Sequence, residues 1–287
     1  MQNIDSFTHV RGESVYLDDI PELKGTLHAI VYDSPIAHGK ITSLDISQAQ
    51  ISEGVVKVII SKDIPGENQI GGIIPDEQLL ADDIVDFAGM PIAIIVAESM
   101  ECARKALKKI TVTIEPLPVI TDPREAARQN KLIVPPRTFS IGDSSSAWNE
   151  CEYIYEAIAE SGGQEHLYIE TQGAYAIPME NGNIKLYSST QGPTAVQRTV
   201  ARVLGVAMHK IEVDVTRLGG GFGGKEDQAS SWATMAALAA TLLKKPVKCV
   251  LHRMDDMRMT GKRHPYSTDF KIGLSKDYKI LAYEATF

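Results

Sequence analysis

The chain is 287 residues long, room for about two domains, with 44% apolar and 23% charged residues, an ordinary balance for a globular protein in water. Its 29 basic and 37 acidic residues leave a net charge of −8, which argues against a general nucleic-acid binder, whose affinity comes from basic side chains neutralising phosphates. No run of about 18 apolar residues offers a membrane helix, and the opening Met-Gln-Asn-Ile-Asp-Ser-Phe lacks the basic and apolar parts of a secretory signal.

In chain order, Gly25 to Tyr32 reads as a strand followed by the turn Asp33-Ser34-Pro35. Ile41 to Ile46 alternates as a second strand, and Val55 to Ile60 is a short apolar run broken at Ser61 to Gly66. Residues 66–78 are rich in glycine and carry a proline, so they form a loop. Pro91 to Ala97 is an apolar strand. Ser99 is a good N-cap for a helix over Glu101 to Lys108, with Glu early and Lys late as the helix dipole favours, and Ile110 to Glu115 is a strand. Residues 116–150, dense in Pro and Ser, read as a linker with a short helix at Pro123 to Gln129. Beyond it, Tyr153 to Glu160, about 167–177 and 183–189 have strand patterns, and Ala195 to Leu204 carries a helical apolar stripe. Ile211 to Leu218 alternates as a strand, Gln228 to Leu243 is a helix rich in Ala, Leu and Met, Val247 to Leu251 is a strand, and Gly273 to Phe287 starts a hairpin. The three cysteines, Cys102, Cys151 and Cys249, form no Cys-x-x-Cys pair, so no zinc or iron–sulfur site is expected in this chain. All three read as buried small hydrophobes of a reduced, cytoplasmic protein.

Between the strand at Ile211 to Leu218 and the helix at Gln228 to Leu243 lies Gly219-Gly220-Gly221-Phe222-Gly223-Gly224-Lys225-Glu226. A strand, a glycine-rich loop and a helix N-terminus together offer backbone N–H groups to an anionic ligand. Gly219-x-x-x-x-Gly224-Lys225 matches a phosphate loop up to the lysine, but the Ser or Thr that would hold magnesium is replaced by Glu226. Gly219-x-Gly221-x-x-Gly224 also fits a dinucleotide fingerprint, yet Lys244-Lys245-Pro246-Val247-Lys248 stands where the acidic ribose partner belongs. A plain turn needs one or two glycines, so five suggest close approach to a ligand. Phe222 is either a small hydrophobic plug or a wall beside a planar group, and Glu226 is either a carboxylate opening the helix or an acceptor facing a pocket.

Thr216 to Glu226 resembles the molybdopterin loop of the xanthine oxidase/xanthine dehydrogenase family. Gly12 to Pro21, His28 to Ala37, Val55 to Asp63, Gly163 to Thr171, Ser189-Thr190-Gln191 and Gly261 to Pro265 resemble further signatures of that family in the same order. The resemblance implies an α+β chain: an a/b hammerhead domain over residues 1–115, a linker over 116–150, and the first part of a mixed α/β molybdopterin-binding domain over 151–287. It implies hydroxylation of an sp² carbon beside a ring nitrogen with oxygen from water, the hard chemistry being carried by a molybdenum-molybdopterin cofactor, in a plain or cytosine dinucleotide form.

By the same resemblance, Gln191 would hydrogen-bond a ligand of the molybdenum, its bland alternative being a capping amide before the next helix. Gly220, Gly221, Phe222 and Gly223 would line the cofactor, with Gln191 and Phe222 near the metal but no direct protein ligand to it. Glu226 would bind the purine, since related aldehyde oxidases lack a carboxylate there. His166 with Glu165, and Arg263 with His264, have either loop-orienting or structural roles. The family's base glutamate, a second purine-binding arginine and most pterin phosphate contacts lie beyond this stretch. The resemblance therefore implies the N-terminal part of a molybdenum subunit, completed by its C-terminal half, with 2Fe-2S clusters and FAD on partner chains. A glycine-loop nucleotide-binding protein and a non-catalytic assembly fragment stand as alternatives.

Overall fold

The computed structural model describes residues 5–287; the first four, where the stretch read as lacking a secretory signal begins, lie outside the described residues. The first elements are α1 (Ser6–Arg11), β1 (Leu27–Asp33), β2 (Gly39–Asp45), α2 (Ser47–Gln50), β3 (Val55–Ile60), β4 (Ile84–Val85), β5 (Pro91–Ala97), α3 (Met100–Leu107) and β6 (Thr111–Pro116). Then come α4 (Pro123–Arg128), α5 (Ser144–Ala147), β7 (Tyr153–Ser161), β8 (Gly173–Pro178), β9 (Ile184–Ser188), α6 (Pro193–Leu204) and β10 (Ile211–Asp214). The last are α7 (Ala229–Leu243), β11 (Val247–Val250), α8 (Arg253–Met259), β12 (Tyr266–Leu274) and β13 (Ile280–Thr286).

Contacts divide the chain into two units. One joins Met1–Pro118 to His166–Gly261, and the other joins Val119–Glu165 to Lys262–Phe287. In the first, a seven-stranded sheet runs in the order β10-β9-β8-β11-β1-β5-β3, and a three-stranded sheet runs β4-β2-β6. The larger sheet therefore draws strands from both sides of residues 119–165. Its seam is β1, antiparallel to β5 and parallel to β11, where Leu27 stands opposite Val247. The second unit holds a three-stranded antiparallel sheet, β13-β12-β7. Most strand pairs are antiparallel, and a β9-α6-β10 crossover sets β9 parallel to β10; this mixture of strands and helices is an α+β fold.

β5 is buried along its whole length because both of its faces are covered. Ile94 and Val96 join the main core with Leu27, Ala29, Val31, α6 and α7, while Ala93, Ile95 and Ala97 face a second core with α3. A strand buried on two sides reads as a continuous apolar run, as Pro-Ile-Ala-Ile-Ile-Val-Ala does. α3 starts where expected: the Ser99 side chain accepts from Cys102 N–H. α6 has Pro193 in its first turn, buries Val196, Val200, Val203 and Leu204 on one stripe, and ends at Gly205 in a left-handed conformation. α7 is apolar nearly all round, and residues Ala229 to Ala240 are buried apart from Ser231, so it is a core helix.

Several elements differ from their sequence patterns. The alternating run 211–218 is a strand only to Asp214, because the backbone beyond leaves the sheet to reach Glu170, whose carboxylate accepts from Gly219 N–H. The run 167–177 pairs only from Gly173, since Glu170 and Gln172 are held instead by Lys225 and Asp256. β12 begins at Tyr266, ahead of the hairpin expected from Gly273, and α8 has no counterpart in the pattern reading. Of the cysteines, Cys249 is fully buried and its thiol is pushed up to about 12 by that burial, but Cys102 and Cys151 are partly exposed.

Candidate cofactor-binding loop

Lys225 is the centre of the glycine loop, although it lies at 0% exposure. Its ammonium donates to the Glu170 carbonyl oxygen (2.7 Å), to Ser189 Oγ (2.7 Å) and to Glu170 Oε2 (3.3 Å), and lies 4.4 Å from the centre of the Tyr168 ring. Burial pushes the Lys225 pKa below its ordinary value, and the Glu170 carboxylate pulls it part of the way back. A phosphate-loop lysine must reach into solvent for its ligand. This one is consumed inside the protein, which speaks against the nucleotide-phosphate alternative.

Around the lysine the loop is tied to three other segments. Gln191 donates its backbone N–H to Lys225 O (2.8 Å), and its side-chain oxygen accepts from Gly223 N–H (3.0 Å) and Lys225 N–H (3.2 Å). Thr190 Oγ1 donates to Lys225 O at 3.0 Å. Gln172 Nε2 donates to Gly224 O (2.8 Å) and to Tyr168 Oη (3.0 Å), and Tyr168 donates in turn to Asp256 Oδ1 (3.1 Å). Burial and the Asp256 charge both raise the Tyr168 phenol's pKa, so it stays a neutral donor.

The requirement for glycine is largely internal. A Cβ built on Gly221 would sit 2.4 Å from Gln191 Oε1, so the missing side chain makes room for Gln191 rather than for a guest. Five glycines suggested close approach to a ligand; at Gly219, Gly220, Gly221 and Gly224 the space is instead taken by Glu170, Tyr168, Gln191 and His166. Gly223 is the exception: its Cβ position is open, with nothing within 4 Å, at φ +87°. Beside it Phe222 also adopts a left-handed backbone (φ 52°), a conformation that costs a non-glycine residue about 1–2 kcal/mol, and its ring is 73% exposed. Strain of this kind, holding an aromatic ring out in water, is characteristic of ligand sites.

The residues expected at the site fall into two groups. Gln191, Phe222, Gly223 and Glu226 are exposed, and the hydrogen bonds above join Gln191 directly to Gly223, while Gly221 is buried and Gly220 half-buried. Glu226 does not open the helix: α7 starts at Ala229 with Gln228 as its N-cap, so Glu226 precedes the cap and makes no ion pair among the described residues. His166 is packed rather than poised, since a Cβ on Gly224 would come within 2.7 Å of its ring, and the ring stacks on Tyr168 with centroids 6.3 Å apart. Arg263 and His264 are exposed, with Arg263 backbone-paired to Gln164. Pattern reading missed Glu170, Gln172 and Asp256. Glu170 and Gln172 stand 49 to 55 positions from the loop residues they hold, and Asp256 stands 88 from Tyr168; only the charge of Lys225 amid glycine and apolar residues hints that a buried acid is needed.

Residues 124–287 match the molybdopterin cofactor-binding domain family, and residues 11–118 match the a/b hammerhead domain of aldehyde oxidase and xanthine dehydrogenase. The chain belongs to this xanthine dehydrogenase and aldehyde oxidase family. It is 39% identical over 277 residues to the xanthine dehydrogenase/oxidase of Gallus gallus, covering 96% of this chain and 20% of that protein. To the xanthine dehydrogenase of Emericella nidulans it is 38% identical over 286 residues, 99% of this chain and 21% of that one. Among solved structures it is similar to the aldehyde oxidoreductase of Desulfovibrio gigas (TM-score 0.89, 26% identity, 98% of this chain and 33% of that chain). It is likewise similar to the CO dehydrogenase of Oligotropha carboxidovorans (TM-score 0.86, 26% identity, 99% of this chain and 38% of that chain). The chain thus spans about a fifth of the length of the curated relatives it matches. No helix among the described residues is long and apolar enough to cross a membrane.

The donor set fits a molybdopterin group on its own geometry. An open main-chain edge at Gly223, the exposed Phe222 ring and the exposed Gln191 amide lie together on the loop and are groups that a flat polar cofactor could meet.

Proposed function

We propose that this chain supplies the N-terminal part of the molybdenum subunit of a purine hydroxylase of the xanthine dehydrogenase type. The observation that carries the proposal is Gln191. Its side-chain oxygen is spent on Gly223 and Lys225, so its NH₂, on the other side of the same carbon, is left to donate outward. In this reading Gln191, through its outward amide, together with Gly220, Gly221, Phe222 and Gly223, would hold the molybdenum-molybdopterin group. The bound group supplies the oxidation, moving oxygen from water to an sp² carbon of the substrate. The protein's part is to orient: the exposed Glu226 side chain accepts hydrogen bonds from purine N–H groups. The electrons released call for 2Fe-2S clusters and FAD on partner chains, and the catalytic base for the C-terminal half of the molybdenum subunit, in a cytoplasmic setting.

Glu226→Ala in the complete enzyme tests this. Losing one hydrogen bond from a charged acceptor is worth about 1.5–3 kcal/mol, so kcat/KM for xanthine should fall about ten- to hundredfold while molybdenum content and aldehyde turnover hold. Unaltered purine kinetics with a full complement of metal would remove Glu226 from the substrate site. A wild-type enzyme purified without molybdenum would remove the whole reading.

A further inference from the structure

We infer that Glu170 is a positioning residue whose single side chain sets both ends of the glycine loop and, through Lys225, the orientation of Gln191. The inference rests on the functional reading only for what the loop holds, not for how it is held. Glu170 Oε2 accepts from Gly219 N–H at 2.8 Å and from the Lys225 ammonium at 3.3 Å, so one oxygen grips the first and the seventh residue of the octet. The same oxygen accepts from Ser189 Oγ (2.6 Å), and Oε1 accepts from Leu17 N–H (3.2 Å). The backbone repeats the grip, because Glu170 N–H donates to Gly219 O (3.1 Å) and Glu170 O accepts from Lys225 Nζ (2.7 Å). Gly219 belongs to the device: a Cβ there would stand 2.4 Å from Glu170 Cβ and push the carboxylate off the Gly219 amide.

From Lys225 the constraint passes on in one step, since its N–H and C=O hold the Gln191 side chain and backbone respectively. Sequence separates Glu170 from the loop by 49 to 55 positions, so the clamp is a tertiary contact. A buried ion pair is weak support for stability, because well-packed apolar residues often serve as well; its best-attested use is to specify one arrangement. Here the arrangement specified is that of a segment in which an exposed aromatic, an open glycine and an exposed amide meet.

Three variants of the 287-residue chain test this: Glu170→Gln, Lys225→Met and the double Glu170→Gln/Lys225→Met. Each single variant strands a buried group and should lower the thermal midpoint, and that alone says only that the pair is buried. The double variant leaves no unpaired charge, so its midpoint should return most of the way to wild type. Amide hydrogen exchange over 219–225 should nevertheless stay at least about tenfold faster in the double variant, with α7 unchanged, because local opening reports the lost clamp. Wild-type protection of the loop in the double variant would overturn the proposal, as would loop exchange that recovers in step with the midpoint. The exchange measurement needs no cofactor. A complete wild-type enzyme lacking molybdenum would therefore defeat the functional reading while leaving the clamp standing, and normal loop protection in the double variant would do the reverse.

Discussion

Lys225 shows how much one position can carry. A lysine buried to 0% exposure is sustained by two oxygens of Glu170, the Ser189 hydroxyl and the Tyr168 ring, while Phe222, Gly223 and Glu226 beside it are exposed. Gly221 is its counterpart, needed for the approach of Gln191. We expect Gly221→Ala to expel the Gln191 side chain and forfeit its hydrogen bonds to Gly223 and Lys225, costing about 1–3 kcal/mol in urea unfolding. Gly223→Ala meets no atom and bears only the left-handed backbone, so its cost should be smaller, about 1 kcal/mol. Equal midpoints for the two variants would contradict this account of Gly221. At this scale the loop was legible from its glycines and from Phe222 and Glu226. The reason for the glycines was not, because neither Gln191 nor Glu170 is near them in sequence.

Among the elements, α7 couples the loop to the core. Its first turn follows Glu226 by three residues, and its buried face packs on β8, β11 and α6. Leu238 lies mid-helix at 0% exposure, so Leu238→Ala should destabilise the first unit by about 2–5 kcal/mol, read from a chemical denaturation midpoint. A loss under about 1 kcal/mol would mean that the surroundings collapse into the space, against the tight packing seen here. β5, α3, α6 and α7 were legible within a residue or two because each carries its own signal: a continuous apolar run, a Ser cap, a helical apolar stripe and a run rich in Ala, Leu and Met. The run after β10 misled for the opposite reason. Alternation persists to Leu218, but no strand lies beside residues 215–218, and the backbone there is claimed by Glu170.

For the whole chain, the seven-stranded sheet explains why the hammerhead segment is not self-contained. Leu27, Ala29, Val31, Ile94 and Val96 are buried in a core completed by residues 174–259. A fragment of residues 11–118 alone should therefore expose that face, bind a hydrophobic dye and give poorly dispersed amide resonances, and dispersion should return when residues 166–261 are present. Sharp, dispersed spectra from 11–118 alone would refute this.

Which stretches become helix or strand, the kinship with molybdenum hydroxylases and the glycine loop itself could all be read from local order, because periodicity, caps and co-linear motifs are properties of neighbours along the chain. Pairing β1 with β11 across some 220 residues, burying Lys225 against Glu170 and tucking Gln191 beneath Gly221 were settled only in three dimensions. Those contacts depend on which distant groups share a low-dielectric interior. There an unpaired charge or amide is too costly to keep, and no local pattern names its partner.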